Sequence, residues 1–346
     1  MRSLDVGVLG ATGVVGQQFV ARLARHPWFR PSWLAASERS EGKAYGAVAP
    51  WRLATPIPDL LFNKTVESCT PGRGPRVVFS ALDASVAGDI EQAFAAAGHF
   101  VVSNARNYRM DPLVPLLIPE VNADHLTLLP EQQREKNWKG AIVTNPNCST
   151  IVLAMALAPL RVFDLRTVMV STMQAVSGAG YPGVASLDIV GNVVPFIGGE
   201  EEKMESETLK ILGRQGGRAP HSAVISAHTN RVPVIDGHTM TISADFGAKP
   251  SVEDIVVALK AFRGRPQELD LPSAPDPPII VATEANRPQP RLDADRGDGM
   301  AISVGRIRPC KVLHAKFVAL GHNTVRGAAG AAILNAELMA ADGIFD

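Results

Sequence analysis

Val6-Gly7-Val8-Leu9-Gly10-Ala11-Thr12-Gly13-Val14-Val15-Gly16 decides the fold of this chain. The apolar run 4–9 reads as a buried strand, and 14–23 reads as a helix whose apolar face packs back on it. Gly10, Gly13 and Gly16 fall where the one turns into the other. The spacing G-x-x-G-x-x-G is a relative of the dinucleotide fingerprint. Gly10 and Gly13 would let the backbone turn tightly against a pyrophosphate, and Gly16 would let the helix sit close to the strand. Free N–H groups at the helix start then attract phosphate. A bare glycine triplet is a weak signal; its place between a strand and a helix favours a cofactor over a plain connection.

Working outward, 33–36, 77–79, 100–102 and 141–143 read as further strands and the alanine-rich 85–97 as a helix. Such alternation predicts a Rossmann-type α/β unit with a parallel sheet covered on both faces. The pattern changes after about residue 148. Segments 168–173, 223–226, 239–245, 279–282 and 311–318 read as strands, with helices near 184–190, 201–212 and 252–262. This predicts an α+β unit with a mostly antiparallel sheet. The proline-rich stretch 269–291 reads as a surface excursion, and 324–339 as one long alanine-rich helix.

Thirty-four basic residues balance 34 acidic ones in the 346-residue chain, which leaves no electrostatic footprint for nucleic acid or an anionic membrane. No apolar run is long enough to span a bilayer, and the strand at residue 4 leaves no room for a cleaved signal. Cys69, Cys148 and Cys310 are too few and scattered for a disulfide framework, which fits a reducing, cytoplasmic setting. No metal site is expected.

Thr144-Asn145-Pro146-Asn147-Cys148-Ser149-Thr150 follows a strand and precedes an apolar helix. Cys148 therefore opens that helix, where the dipole and free N–H groups favour a thiolate and could hold an oxyanion. Lone cysteines are more often small buried hydrophobes, as Cys69 and Cys310 read; the polar surroundings of Cys148 set it apart. A thiolate beside a nicotinamide implies addition to an aldehyde, hydride transfer and a thioester, with a base to handle the proton. Among eight histidines, His238 is the best candidate, with His221 and His228 competing. Asp236-Gly237 reads as a hairpin turn that would let Arg231 and His238 meet. For the cofactor, Glu38 and Arg39 point opposite ways; Ser37, Arg39 and Ser40 together favour the 2′-phosphate of NADP.

The chain resembles the aspartate-semialdehyde dehydrogenases, closest to the archaeal and fungal branch that also holds malonyl-CoA reductases. The likeness is carried by Gly-Ala-Thr-Gly-Val-Val-Gly at 10–16, Asn-Pro-Asn-Cys-Ser-Thr at 145–150 and Gln-Ala-Val-Ser-Gly-Ala-Gly at 174–180. It continues through Glu-Glu-Glu-Lys-Met at 200–204, Asn-Arg-Val-Pro-Val at 230–234, Asp-Gly-His-Thr at 236–239 and Gly-His-Asn-Thr-Val-Arg-Gly-Ala-Ala-Gly at 321–330.

The resemblance implies Cys148 as nucleophile and His238 as acid/base group. Arg109, Asn147, Gln174, Glu200, Lys203 and Arg231 would bind substrate. Arg231 would grip the carboxylate, Lys203 and Arg109 the phosphate, and Glu200 (or its neighbour Glu201 or Glu202) the α-ammonium. Gly10, Thr12, Gly13, Val14, Val15, Ser37, Arg39, Ser40, Ser80, Ser177, Gly178 and Asn323 would hold NADP. The implied reaction turns L-4-aspartyl phosphate into L-aspartate 4-semialdehyde and phosphate, toward lysine, threonine and methionine. It also implies an NADP-binding domain at 1–147 completed by the tail 323–346, a catalytic and dimerisation domain at 148–322, and a homodimer or homotetramer. The alternatives are a malonyl-CoA reductase and a non-catalytic NADP-binding sensor.

Overall fold

In the computed structural model, which describes residues 3–346, the opening stretch forms strand β1 (Leu4–Leu9) and a helix, Val14–Leu23. Val6, Val8 and Leu9 are completely buried, as are Phe19 and Val20 of the helix that covers them. Gly10 takes φ +74°, and a Cβ there would lie 2.7 Å from the Ala81 carbonyl oxygen. Only glycine satisfies both demands. At Gly16 a Cβ would lie 2.2 Å from the Gly10 oxygen, so the helix sits against the turn as the spacing predicts.

Five more strands join β1: β2 (Phe29–Ala36), β3 (Val66–Ser68), β4 (Val77–Ser80), β5 (Phe100–Ser103) and β6 (Ala141–Thr144). The order is β3-β2-β1-β4-β5-β6 and every pairing is parallel. The order reverses between β1 and β4, so the turns after these two strands border the crevice where such sheets bind ligands. The second sheet holds β7 (Leu165–Gln174), β8 (Val224–Arg231), β9 (His238–Phe246), β10 (Ile279–Val281), β11 (Ile302–Pro309) and β12 (Ala315–Gly321). Its order is β10-β11-β12-β9-β7-β8; the three inner pairings are antiparallel and the two outer ones parallel.

Three expectations are corrected here and a fourth is refined. The Asp236-Gly237 turn closes no hairpin: β8 and β9 both pair with β7, which lies between them, so the connection crosses over that strand. The strand expected at 311–318 is displaced to β12, and β11 precedes it unforeseen. The tail is a π-helical turn, Val325–Ala329, followed by the α-helix Gly330–Ala341. The proline-rich excursion is anchored: Leu271 is buried in the same apolar cluster as Val6, Phe79 and the tail residues Ile333 and Met339.

The helix Cys148–Leu157 leaves β6 and runs into the core of the second sheet, buried at every position from Ser149 to Leu157. A helix apolar on all sides has to be enclosed this way. The opposite face of the second sheet stays open, with Met169 half exposed and Val224 exposed.

Candidate active site

The cysteine helix starts where its cap dictates. Asn147 Oδ1 accepts from the Ser149 and Thr150 amides at 2.9 and 3.1 Å, satisfying two of the donors that a helix start leaves open. Cys148 is thereby the first helical residue, half-buried, with Sγ 3.2 Å from His238 Nε2. His238 opens β9 and is completely buried. Its Nδ1 accepts the Ala175 amide at 3.1 Å.

Gln174 ends β7 in register with Arg231, which ends β8. The ends of β7 and β8 and the start of β9 therefore meet at one edge. Arg231 Nη1 donates to the Ala175 carbonyl at 2.8 Å. A Cβ on Gly178 would lie 2.8 Å from Arg231 Nη1 and 2.9 Å from His238 Cε1, and one on Gly327 would lie 2.6 Å from Cys148 Cβ. Both glycines are required by the closeness of the side chains they touch.

The helix Glu200–Leu212 forms the facing wall. Glu200 accepts from Asn147 Nδ2 at 2.8 Å, with Lys203 Nζ at 3.4 Å from its other oxygen. Glu207 accepts the Asn147 amide at 2.7 Å and Arg109 Nη1 at 3.1 Å. Lys210 Nζ donates to the carbonyls of Arg109, Asp111 and Val114 at 2.7, 2.8 and 2.9 Å. These four side chains recur at helical spacing on one face. Glu201 faces elsewhere, accepting the Thr229 amide on the open edge of β8, and Glu202 is exposed. Of the three glutamates, Glu200 is thus the one joined to the cysteine helix.

At the nucleotide end, Gly13 caps the first helix with no side-chain bond, leaving first-turn N–H groups for an anion. Thr12, Val14 and Val15 are half-buried, Ser37 and Arg39 exposed, and Ser40 and Ser80 buried. Two adjoining clefts, of about 900 and about 410 Å³, share Val14, Arg52, Ser177 and Ile235 as lining. Asn323 Nδ2 donates to Ser177 Oγ at 2.7 Å, and its Oδ1 accepts the Gly237 amide at 2.8 Å, tying this cleft to the residue before His238. A free helix start, close-approach glycines and an open cleft beside Ser177 fit a dinucleotide.

Two family models match: semialdehyde dehydrogenase, NAD binding domain, over residues 5–129, and semialdehyde dehydrogenase, dimerisation domain, over 157–326. The aspartate-semialdehyde dehydrogenase of Archaeoglobus fulgidus is 53% identical over 97% of either chain. The chain belongs to the aspartate-semialdehyde dehydrogenase family. The crystal structure of the Candida albicans aspartate semialdehyde dehydrogenase with NADP superposes with a TM-score of 0.90, at 43% identity over 99% of this chain and 100% of that one. The malonyl CoA reductase (NADP) of Metallosphaera sedula is 40% identical over 100% of this chain and 99% of its own length.

Burial works against the thiolate that the helix start favours in this dehydrogenase. Burial pushes the Cys148 thiol up to about 12, with the Glu200 carboxylate adding to the effect; Arg109, Arg231 and the Ser149 amide oppose it without prevailing. Burial likewise pushes His238 down to about 3, aided by the Arg231 and His322 charges. Both shifts favour thiol and neutral imidazole over thiolate and imidazolium. Desolvation outweighs the helix end that the sequence pointed to.

Glu207 and Lys210 had no place in the reading of the sequence, and Gly327 stood there only within the quoted stretch 321–330, without a role. A stripe continued from Glu200 and Lys203 at helical spacing could have raised the first two. Nothing local marks Gly327.

Proposed function

We propose that Cys148 attacks the acyl carbon of L-4-aspartyl phosphate, releasing phosphate and forming a thioester that is reduced to L-aspartate 4-semialdehyde, a step toward lysine, threonine and methionine. The Cys148–His238 contact at 3.2 Å, with Arg231 beside it, carries this reading. When bound, NADPH supplies a hydride to the acyl carbon. The cofactor is held by Gly10, Thr12, Gly13, Val14 and Val15 around the diphosphate and by Ser37 and Arg39 at the 2′-phosphate. Ser40 belongs to that end, Ser80 lies at the end of β4 beside Leu9 and the glycine turn, and Ser177, Gly178 and Asn323 stand at the nicotinamide.

Arg231 binds the substrate carboxylate and Gln174 orients the chain. Glu200 meets the α-ammonium, while Lys203 and Arg109 face the phosphate. Asn147 caps the nucleophile's helix and places Glu200. Residues 1–147 with the tail 323–346 act as the NADP-binding domain, and 148–322 as the catalytic domain. Its open sheet face, with Met169 and Val224, is the dimerisation surface of a homodimer or homotetramer; a monomer in sedimentation at working concentration would overturn this. Three free cysteines suit a reducing cytoplasm.

The substrate is tested directly. NADPH should form from NADP with aspartate semialdehyde and phosphate, and malonyl-CoA should not oxidise NADPH. Glu200 favours this outcome, since a malonyl group has no ammonium to meet it. Activity with the CoA thioester alone would reassign the acyl group.

A further inference from the structure

We propose that Glu207 is a positioning residue for the phosphate-dependent step. Its two carboxylate oxygens fix the guanidinium of Arg109 at a set distance from the backbone that carries Cys148. The inference rests on the reading of Cys148 as nucleophile and Arg109 as a phosphate residue, and deepens it.

Glu207 Oε1 accepts Arg109 Nη1 at 3.1 Å. Oε2 accepts the backbone amide of Asn147, the residue before the nucleophile, at 2.7 Å. Both charged side chains are buried. One planar carboxylate thus joins the two groups that a thioester and an incoming phosphate have to bring together. The helix that carries it is held on either side of Glu207. Lys210 Nζ donates to the carbonyls of Arg109, Asp111 and Val114, and Asn147 Nδ2 donates to Glu200. Arg109 Nη2 is tied to the Asn104 carbonyl at 2.7 Å. Its Nε has no partner among the described residues, so the guanidinium keeps donor capacity beyond what the protein's own acceptors use.

The arrangement requires two acceptors. The Asn147 amide and Arg109 Nη1 both donate, and a carboxylate meets each with an oxygen of its own. A glutamine brings one oxygen and one NH2 group, so one of the two donors would face another donor. An aspartate keeps both oxygens and withdraws them by one methylene. The Asn147 side-chain cap uses Oδ1 toward Ser149 and Thr150, and either substitution leaves it in place.

Starting from the aldehyde, the thioester forms before phosphate is needed. A phosphate oxygen then attacks the acyl carbon. The C–O bond forms, the C–S bond breaks with its electron pair going to Sγ, and overall one proton passes from the phosphate to the released sulfur. Arg109 serves this second step, and Glu207 acts through Arg109.

Rapid mixing of the NADP-loaded protein with aspartate semialdehyde, with and without phosphate, separates the two steps. In Glu207→Gln, the NADPH formed without phosphate should keep its wild-type amplitude and rate within about twofold. The kcat/KM for phosphate should fall about 10–100-fold. Glu207→Asp should show the same split with a smaller loss, and it is the variant to read should Glu207→Gln fail to fold. On an Arg109→Ala background, either substitution at 207 should cost no more than about a further twofold in kcat/KM for phosphate. Equal losses in both steps, full multiplication of the two single losses in the double variant, or an unchanged kcat/KM for phosphate each overturn the proposal. A wild-type protein that forms no NADPH until phosphate is added removes the underlying reading instead, because the thioester would then not precede the phosphate step.

Discussion

Cys148→Ser is expected to lower turnover by a factor on the order of 10⁴–10⁶ while leaving NADPH binding unchanged. The substitution keeps the volume within what Gly327 allows, since the tight contact is with Cβ and not with the terminal atom. The Asn147 cap uses backbone amides at 149 and 150 and is untouched. What changes is chemistry. A serine hydroxyl is a far weaker nucleophile than a thiol, and an ester oxygen is a poorer leaving group than sulfur when an alkoxide collapses. Steady-state rates with aspartate semialdehyde and phosphate, beside a fluorescence titration with NADPH, read the two effects separately. Undiminished turnover with intact NADPH binding would refute the covalent route.

The nucleotide-binding half of the fold was legible because its signals are local. β1, the turn at Gly10 and the first helix are specified by a period change and by glycines that the turn itself demands. The second sheet was less so. β11 was missed because Gly305, Arg306 and Arg308 interrupt its apolar alternation, and the chain does break there: Arg306 has φ +56° and the register slips between Gly305 and Arg308. The polar half of β8, Ala227-His228-Thr229-Asn230-Arg231, does not look like a strand in isolation. It holds as an edge because Glu201 and Glu205 reach across from a neighbouring helix to accept the Thr229 and Ala227 amides. The Asp236-Gly237 dipeptide signalled a hairpin from its own chemistry; only the intervening β7 shows otherwise.

Within the site, the helix start at Cys148 could be read from the residues around it, whereas Asn147 entered only through the resemblance, as a substrate residue, and its place as the cap of that helix is what the structure adds. His238 could not be separated from His221 and His228 without the succession of motifs along the chain, because its partner Cys148 lies 90 residues away. The burial that opposes a thiolate escaped the sequence for a related reason. A helix start is visible in the sequence, but the burial that overrides it is a property of the assembled core.

Arg326→Met should destabilise the protein by about 3–5 kcal/mol, read as a shift in the urea unfolding midpoint. Arg326 and Glu120 are fully buried and joined by two bonds of 2.7 Å. Removing the guanidinium strands a carboxylate in the interior, whereas removing both charges does not. The double variant Arg326→Met, Glu120→Leu should therefore recover most of the loss. A single variant that unfolds at the wild-type midpoint would show that the pair is solvated or already dispensable. The consequence for catalysis differs from that for stability. Arg326 sits in the π-helical turn that sets Gly327 against Cys148 Cβ, and an apolar pair lacks the directional bonds that fix this turn. The double variant should then fold well and still turn over more slowly than the wild type, so that stability and activity separate at one position.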